Sequence, residues 1–125
     1  MGPVICPFCT PGPDEIILEN GSAYARFDKY PVSPGHLLII PKRHIPSIFE
    51  STSEEINDLW DLVTMAKQVL DEKYSPDGYN TGINDGEFAG QTIMHLHIHL
   101  IPRYKGDMDD PRGGVRGVIP EKQKY

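Results

Sequence analysis

The sequence has few cysteines, no excess of basic residues and no long apolar run. Two cysteines occur among 125 residues, both in Cys6-Pro7-Phe8-Cys9, so a framework of several disulfides is excluded. A chain of this length can instead bury a core large enough to fold as one domain, expected over residues 1–125. The formal net charge of −6 argues against a broad nucleic-acid or anionic-membrane surface, but it permits one nucleotide in a local pocket.

Membrane insertion and export are not predicted either. The longest apolar run, Leu37-Leu38-Ile39-Ile40, is far shorter than the roughly 20 residues of a transmembrane helix. The first residues lack the basic and apolar regions of a signal peptide, and Cys6 stands where a myristoylation signal requires Ser or Thr. We therefore expect a cytoplasmic protein that does not bind membranes.

Hydrophobic patterning predicts an α+β domain with an antiparallel sheet of about five strands and one long helix packed on it. An Asn20-Gly21 turn is typical of a β-hairpin, and Pro41 is expected to end the third strand. Thr52 and Glu55 have the spacing of a capping box, and apolar residues recur at helical spacing as far as Tyr74. The predicted strands are segments 16–19, 23–28, 36–40, 79–84 and 95–101, and the tail, 105–125, is expected to be irregular.

The most informative segment is His95-Leu96-His97-Ile98-His99-Leu100-Ile101. Its strict alternation predicts a strand with apolar residues on one face and three histidines on the other. His95 and His99 would then lie about 13 Å apart, too far for all three histidines to bind one metal ion unless the strand bends strongly. At least one histidine is therefore free for chemistry. A solvated histidine face is the alternative.

The Cys6-Pro7-Phe8-Cys9 motif has several interpretations. A redox pair requires a helix at the motif, whereas Thr10-Pro11-Gly12-Pro13 is typical of a loop. A disulfide does not suit a reducing compartment. Half of a zinc site is favoured, with two more ligands that histidines could supply, and inert thiols stay open as an alternative.

A polar loop precedes the histidine segment. Gly86 and Gly90 allow backbone N–H groups to approach a ligand, while Gln91 and Thr92 add side-chain donors. Convergent donors of this kind suit a phosphate. A neutral imidazole beside a phosphate can attack phosphorus, and a second imidazole can hold an oxygen or pass a proton to the leaving group.

Three segments resemble the histidine triad (HIT) superfamily, in its zinc-bearing branch. Residues 90–103 are similar to the signature His-φ-His-φ-His-φ-φ, where φ is apolar. Residues 34–45 are similar to the family's central strand, and residues 84–86 to the turn before the signature. The resemblance implies a nucleotidyl hydrolase or transferase acting at the α-phosphate of nucleoside phosphoramidates or dinucleoside polyphosphates, with no cofactor required for the chemistry.

The resemblance also implies roles for individual residues. His97 would be the nucleophile, oriented by the carbonyl of His95. We expect His36 to be packed, or to act through a neighbouring site residue, rather than to be catalytic. His99 and Gln91 would contact the phosphate and the bridge to the leaving group. The implied catalytic set is His97, His99, His95 and Gln91, and the implied nucleotide-binding set is Asp28, Asn84, Gln91, Thr92, His97 and His99.

A structural zinc ion and a homodimer are implied by the same resemblance. The zinc ligands would be Cys6, Cys9, His44 and His95, which would tie an N-terminal arm, residues 1–15, to the sheet. The dimer would extend the sheet across a two-fold axis.

Two further questions stay open in the sequence. In the tail, Arg112 and Arg116 either lie in a solvated loop or reach the distal phosphates of a longer substrate. At the level of the whole chain, the alternatives to an enzyme are a non-catalytic nucleotide-binding or scaffold protein and a purely metal-binding module.

Overall fold

One antiparallel sheet and one long helix account for the fold. The computed structural model describes residues 6–125, so the beginning of the predicted zinc-binding arm lies outside the described residues. The sheet has the strand order β1-β2-β3-β5-β4, and the prediction of an α+β domain with five strands and one helix is confirmed. The elements are β1 (Leu18–Glu19), β2 (Ala23–Phe27), β3 (Leu37–Pro41), α1 (Ser53–Tyr74), β4 (Gly78–Ile83) and β5 (Ile98–Arg103).

The predicted helix begins and ends where the sequence indicates. Thr52 accepts a hydrogen bond from the backbone N–H of Glu55, and the Glu55 carboxylate accepts one from the N–H of Thr52. This reciprocal pair satisfies two N–H groups that the first turn cannot pair internally. The helix ends at Tyr74, before Ser75 in a left-handed conformation. Within the described part of the chain, no helix is both long and apolar enough to cross a membrane.

The two faces of the sheet carry different structures. Leu96, Ile98 and Leu100 pack with α1 in the main core, as their alternation predicts. On the opposite face, a smaller apolar cluster forms around Phe8 of the N-terminal arm, together with Tyr24, Leu38 and Ile40. Arg26 is buried on this face and is paired with Glu15. The histidines therefore share a face with the N-terminal arm and not with α1.

Every predicted strand differs from the structure at one or both ends. β1 begins at Leu18 instead of Ile16, and the bounds of β2, β3 and β4 differ by one residue. The fifth strand begins at Ile98 instead of His95, because its ladders with β3 and β4 both end at Ile98 and the N–H of Leu96 donates to the carbonyl of Ile45. The third strand ends at Pro41, as predicted, but Pro41 itself belongs to β3 and pairs with Ala23. The tail is not wholly irregular, because two short 3-10 helices form at Gly114–Val118 and Pro120–Lys122.

Candidate functional site

His97 is held in one ring orientation by the backbone. Its Nδ1 lies 2.8 Å from the carbonyl oxygen of His95, and its buried ring lies against Phe8 with the ring centroids 5.1 Å apart. Because a carbonyl oxygen only accepts, the proton is assigned to Nδ1 and Nε2 keeps its lone pair. An imidazole in this form can act as a nucleophile through Nε2.

His99 lies at the end of a chain of hydrogen bonds. The N–H of Val32 donates to Nδ1 of His36 over 3.0 Å, so the proton of neutral His36 is on Nε2. This Nε2–H donates in turn to Nδ1 of His99 over 3.0 Å, which leaves the proton of His99 on its Nε2. Burial, aided by nearby His97 and His36, lowers the pKa of His99 to about 4, so its ring is neutral at pH 7.

A cavity of about 730 Å³ opens beside His99, on the sheet face opposite α1. Asp28 and Asn84, two predicted nucleotide ligands, line it together with His99 and His36. The Asp28 carboxylate lies 3.5 Å from Nε2 of His36 and 4.0 Å from Nδ1 of His99. The fold thus brings Asp28, Asn84 and His99 to one space, while His97 lies next to it, with its ring centroid 5.2 Å from that of His99.

Gln91 is fully engaged within the loop that precedes the histidines. Its side chain is buried, and its amide nitrogen donates to the carbonyls of Pro46 and Ile93 over 2.9 Å and 3.1 Å. Its amide oxygen accepts from the N–H of Gly86 over 2.8 Å. In this structure Gln91 holds the loop together, and a contact of Gln91 or of exposed Thr92 with phosphate stays a prediction.

The four predicted metal ligands converge on one point. The nearest distances are 3.0 Å from Cys9 Sγ to His44 Nδ1, 3.1 Å between the Nδ1 atoms of His44 and His95, and 3.4 Å from Cys6 Sγ to His95 Nδ1. Tetrahedral zinc bonds would place such atoms roughly 3.3–3.8 Å apart. The Nε2–H of His95 donates to the carbonyl of Pro41 over 2.7 Å, which leaves Nδ1 free to bind a metal ion. The group therefore fits a tetrahedral ion.

A second cluster, Asp28, His36 and His99, is also compact enough to suggest a metal site. Its hydrogen bonding argues otherwise. The ring nitrogen of His36 that faces His99 carries a proton, because the other nitrogen accepts from the backbone of Val32. A protonated nitrogen has no lone pair for a metal, so this cluster is a hydrogen-bonded relay.

The tail reaches the site in a way that the sequence analysis missed. Val115 and Val118 line the cavity, whereas neither Arg112 nor Arg116 is among the lining residues. The guanidinium of Arg116 donates to the carbonyls of Lys122 and Gln123, within the tail. Two valines three residues apart in a Gly-rich segment were the available signal, since a short helical turn places such residues on one side.

Named relatives match most of the chain. It is 41% identical over 96 residues to a bis(5'-adenosyl)-triphosphatase of Dictyostelium discoideum, which covers 77% of the chain and 64% of the relative. It is 42% identical over 80 residues to an asymmetrical bis(5'-nucleosyl)-tetraphosphatase of Schizosaccharomyces pombe, which covers 64% of the chain and 44% of the relative. The chain thus spans somewhat under two thirds of the first relative's length and less than half of the second's.

Solved structures and a family model agree with these relatives. A Zn-bound histidine triad family protein from Mycobacterium smegmatis matches with a TM-score of 0.72 and 31% identity, covering 82% of this chain and 77% of that one. The family model described as HIT domain matches residues 10–106. That match spans well over half of the chain and includes the histidine segment, the cavity-lining strands and the loop of Gln91, so the chain belongs to the HIT family.

Proposed function

We propose that the chain cleaves nucleoside phosphoramidates or dinucleoside polyphosphates at the α-phosphate through a covalent nucleotidyl-His97 intermediate. The observation that carries the proposal is the hydrogen bond from Nδ1 of His97 to the carbonyl of His95, 2.8 Å long. It keeps the lone pair on Nε2, and the same carbonyl stabilises the positive ring that forms when Nε2 bonds to phosphorus. The names of the two relatives support a substrate with two nucleosides joined by phosphates.

The chemistry divides into two displacements. In the first, the Nε2 lone pair of His97 forms a bond to the α-phosphorus, and the bond from phosphorus to the leaving atom breaks with its electron pair. The Nε2–H of His99 donates a hydrogen bond to the leaving atom, which carries the developing negative charge. In the second, a water oxygen bonds to phosphorus, the bond to His97 breaks, and a proton of the water is lost to solvent. Asp28 would accept hydrogen bonds from the ribose hydroxyls, and Asn84 would lie along the phosphates.

A zinc ion would have a structural role in this proposal. Cys6, Cys9, His44 and His95 would hold it in a closed four-ligand set, which leaves no ligand position for substrate. Bound there, zinc would supply a cross-link between the N-terminal arm and the sheet. His97 and His99 remain available for the reaction because only His95 of the three histidines is used as a ligand.

A homodimer is also proposed. The strand order puts β4 at an edge of the sheet, where it pairs only with β5 among the described residues. The free backbone groups of an edge strand can pair with a second copy of the same strand. Light scattering of the purified protein should give the mass of two chains, and the mass of a single chain would contradict this part of the proposal.

The test of the proposed reaction is an intact-mass measurement. Wild-type protein is mixed with adenosine phosphoramidate or diadenosine tetraphosphate, quenched early, and compared with His97→Gly. The expected result is an adduct of AMP on the wild type and none on the variant. Met94→Ala is the matched control, since Met94 is a half-exposed neighbour three residues away, and it should keep the adduct.

The other outcomes have definite meanings. Turnover that persists in His97→Gly would show that His97 is not the nucleophile. Binding of AMP without adduct or turnover would indicate the alternative, a non-catalytic nucleotide-binding or scaffold protein.

A further inference from the structure

The cavity beside His99 continues along the sheet, away from His97. Residues 99, 101 and 103 lie on one face of β5, and successive members of this series are roughly 6.6–6.8 Å apart. The facing residues of β4 are Gly82 opposite His99 and Asn80 opposite Ile101. The cavity, which Arg103 also lines, therefore extends about 13 Å beyond His99 in the direction opposite to the proposed nucleophile.

This extension is bounded by apolar side chains that the protein itself leaves uncovered. Val32 is 72% exposed, Val115 is 62% exposed and Val118 is 80% exposed, yet all three line the cavity. Ile101 forms part of the floor, and Met108 adds another apolar wall. Exposed apolar side chains around a cavity of this size are typical of a ligand site.

The charged groups of the extension are already paired. Arg103 donates to the Asp107 carboxylate through Nε and Nη2, each over 2.8 Å, and through Nη1 to Asn80 Oδ1 over 2.6 Å. The same guanidinium lowers the pKa of Asp107 to about 2, so the pair is an ion pair at pH 7. Among the described lining residues no cation is left to bind a terminal phosphate, and Asp28 would repel one.

The tail segment that supplies the two valines is held in place by its own contacts. Gly114 lies so close to β4 that a Cβ there would be 3.1 Å from the amide nitrogen of Asn80. Arg116 donates to the carbonyl of Lys122 over 3.0 Å, and its guanidinium stacks over the ring of Tyr125 at 4.8 Å. The wall formed by Val115 and Val118 is thus a built part of the cavity.

We infer that this extension is a subsite for an uncharged aromatic ring of the leaving group, and that the ring is the second nucleobase of a dinucleoside polyphosphate. The inference rests on the proposed function, because it places the leaving group on the side of His99 away from His97. Apolar walls, a paired guanidinium and the lack of a free cation among the described lining residues favour a neutral ring over a phosphate end. Asn80, whose amide oxygen accepts from Arg103, lines the cavity at this subsite.

The test removes the apolar wall and compares leaving groups. The double variant Val115→Ser/Val118→Ser changes two exposed side chains, so folding should be unaffected. Ile119→Ser is the matched control in the same tail, because Ile119 is exposed but does not line the cavity. The substrates are diadenosine tetraphosphate, adenosine tetraphosphate, which lacks the second nucleoside, and adenosine phosphoramidate. We expect the double variant to lower kcat/KM about tenfold or more for the dinucleotide only, the order of effect for lost apolar contacts in a pocket.

The result that overturns the inference is an equal change, or no change, for all three substrates in the double variant. A binding measurement separates this failure from failure of the proposed function. In a His97→Gly background, calorimetry should show weaker binding of diadenosine tetraphosphate, but not of AMP, when the two valines become serine. If wild type turns over no substrate and this binding difference is present, the proposed reaction fails and the subsite stands. If the binding difference is absent, the subsite is wrong.

Discussion

At the scale of single residues, the proposed chemistry depends on which ring nitrogen of each histidine carries a proton. His95 and His97 both have one nitrogen committed to a backbone carbonyl, but the committed nitrogen is Nε2 in His95 and Nδ1 in His97. The free nitrogen of His95 therefore points into the cysteine cluster, and the free nitrogen of His97 is the one that the proposed reaction uses. The tautomer of His99 is fixed through His36. The N–H of Val32 donates to Nδ1 of His36, so the proton of His36 is on Nε2, and this Nε2–H donates to Nδ1 of His99. Histidines two residues apart thus present different free ring nitrogens because of their backbone partners.

The relay leads to a prediction for His36. In His36→Gln the side-chain amide nitrogen can still donate to His99 while its oxygen accepts from Val32, whereas His36→Leu can do neither. We expect His36→Leu to lower kcat by about a hundredfold and His36→Gln to retain much of it, because orientation of a proton donor is worth up to that order. Nitrogen-15 NMR of the histidine rings reports the tautomer directly and should show the Nε2–H form of His99 in wild type and His36→Gln. The same tautomer in His36→Leu would contradict the role assigned to His36.

At the scale of elements, the first turn of α1 links the helix to the loop that carries His44. The Glu55 carboxylate caps the helix at Thr52 and also accepts from Arg43, next to His44, over 2.8 Å and 3.0 Å. The hydrogen bond from Arg43 and the cap together lower the pKa of Glu55 to about 2 from its ordinary value of 4.5. One buried side chain therefore fixes both the start of the helix and the position of a predicted metal ligand.

This arrangement predicts a pH-dependent loss of stability. The folded-state pKa of Glu55 is depressed, so its contribution is fully present above pH 4.5 and is lost as the pH falls toward 2. At pH 7, Glu55→Gln should lower the free energy of unfolding by about 1–2 kcal/mol, the range for a lost cap. The difference from wild type, measured by urea denaturation, should shrink as the pH falls below 4.5. Glu54→Gln, at an exposed position of the same turn, should cost much less; equal losses in the two variants would contradict the prediction.

At the scale of the whole molecule, segments far apart in the chain meet on the sheet face opposite α1. The N-terminal arm supplies Cys6 and Cys9, the loop after β3 supplies His44, and the segment before β5 supplies His95. The C-terminal tail covers the other end of the same face, over β4. The candidate site lies between these two covers, so its shape depends on how each end of the chain is attached to the sheet.

Removal of the metal ion should lower the thermal stability of the protein. We expect the purified protein to contain one zinc ion per chain, and a strong chelator to lower Tm, because an ion that binds only the folded state stabilises it by about 4 kcal/mol at a thousand times its Kd. Re-addition of zinc should restore Tm, and Cys9→Ser should lose both the zinc and the response. An unchanged Tm in chelator, measured by differential scanning calorimetry on zinc-loaded protein, would contradict a structural zinc site.

The sequence by itself determined the fold class, the helix and the alternation of apolar residues and histidines. These features follow from local rules: a capping box between Thr52 and Glu55, a hydrophobic period, and opposite directions for successive residues of an extended chain. The same rules placed Leu96, Ile98 and Leu100 in the core correctly. They misplaced the start of β5, because its first residue depends on where the ladders with β3 and β4 end.

Only the tertiary structure decided most of the contacts of the polar side chains in the site. The proton positions on His95 and His36 depend on Pro41 and Val32, which no residue pattern specifies, whereas the resemblance already implied the contact of His97 with the carbonyl of His95. Gln91 donates to loop carbonyls, and Arg116 donates to carbonyls of its own tail. These contacts likewise form only in the folded protein. The apolar wall of Val115 and Val118 belongs to the site because the tail folds back over β4. The contact of Gly114 with Asn80 joins residues about 35 positions apart, so it forms only when the chain is folded.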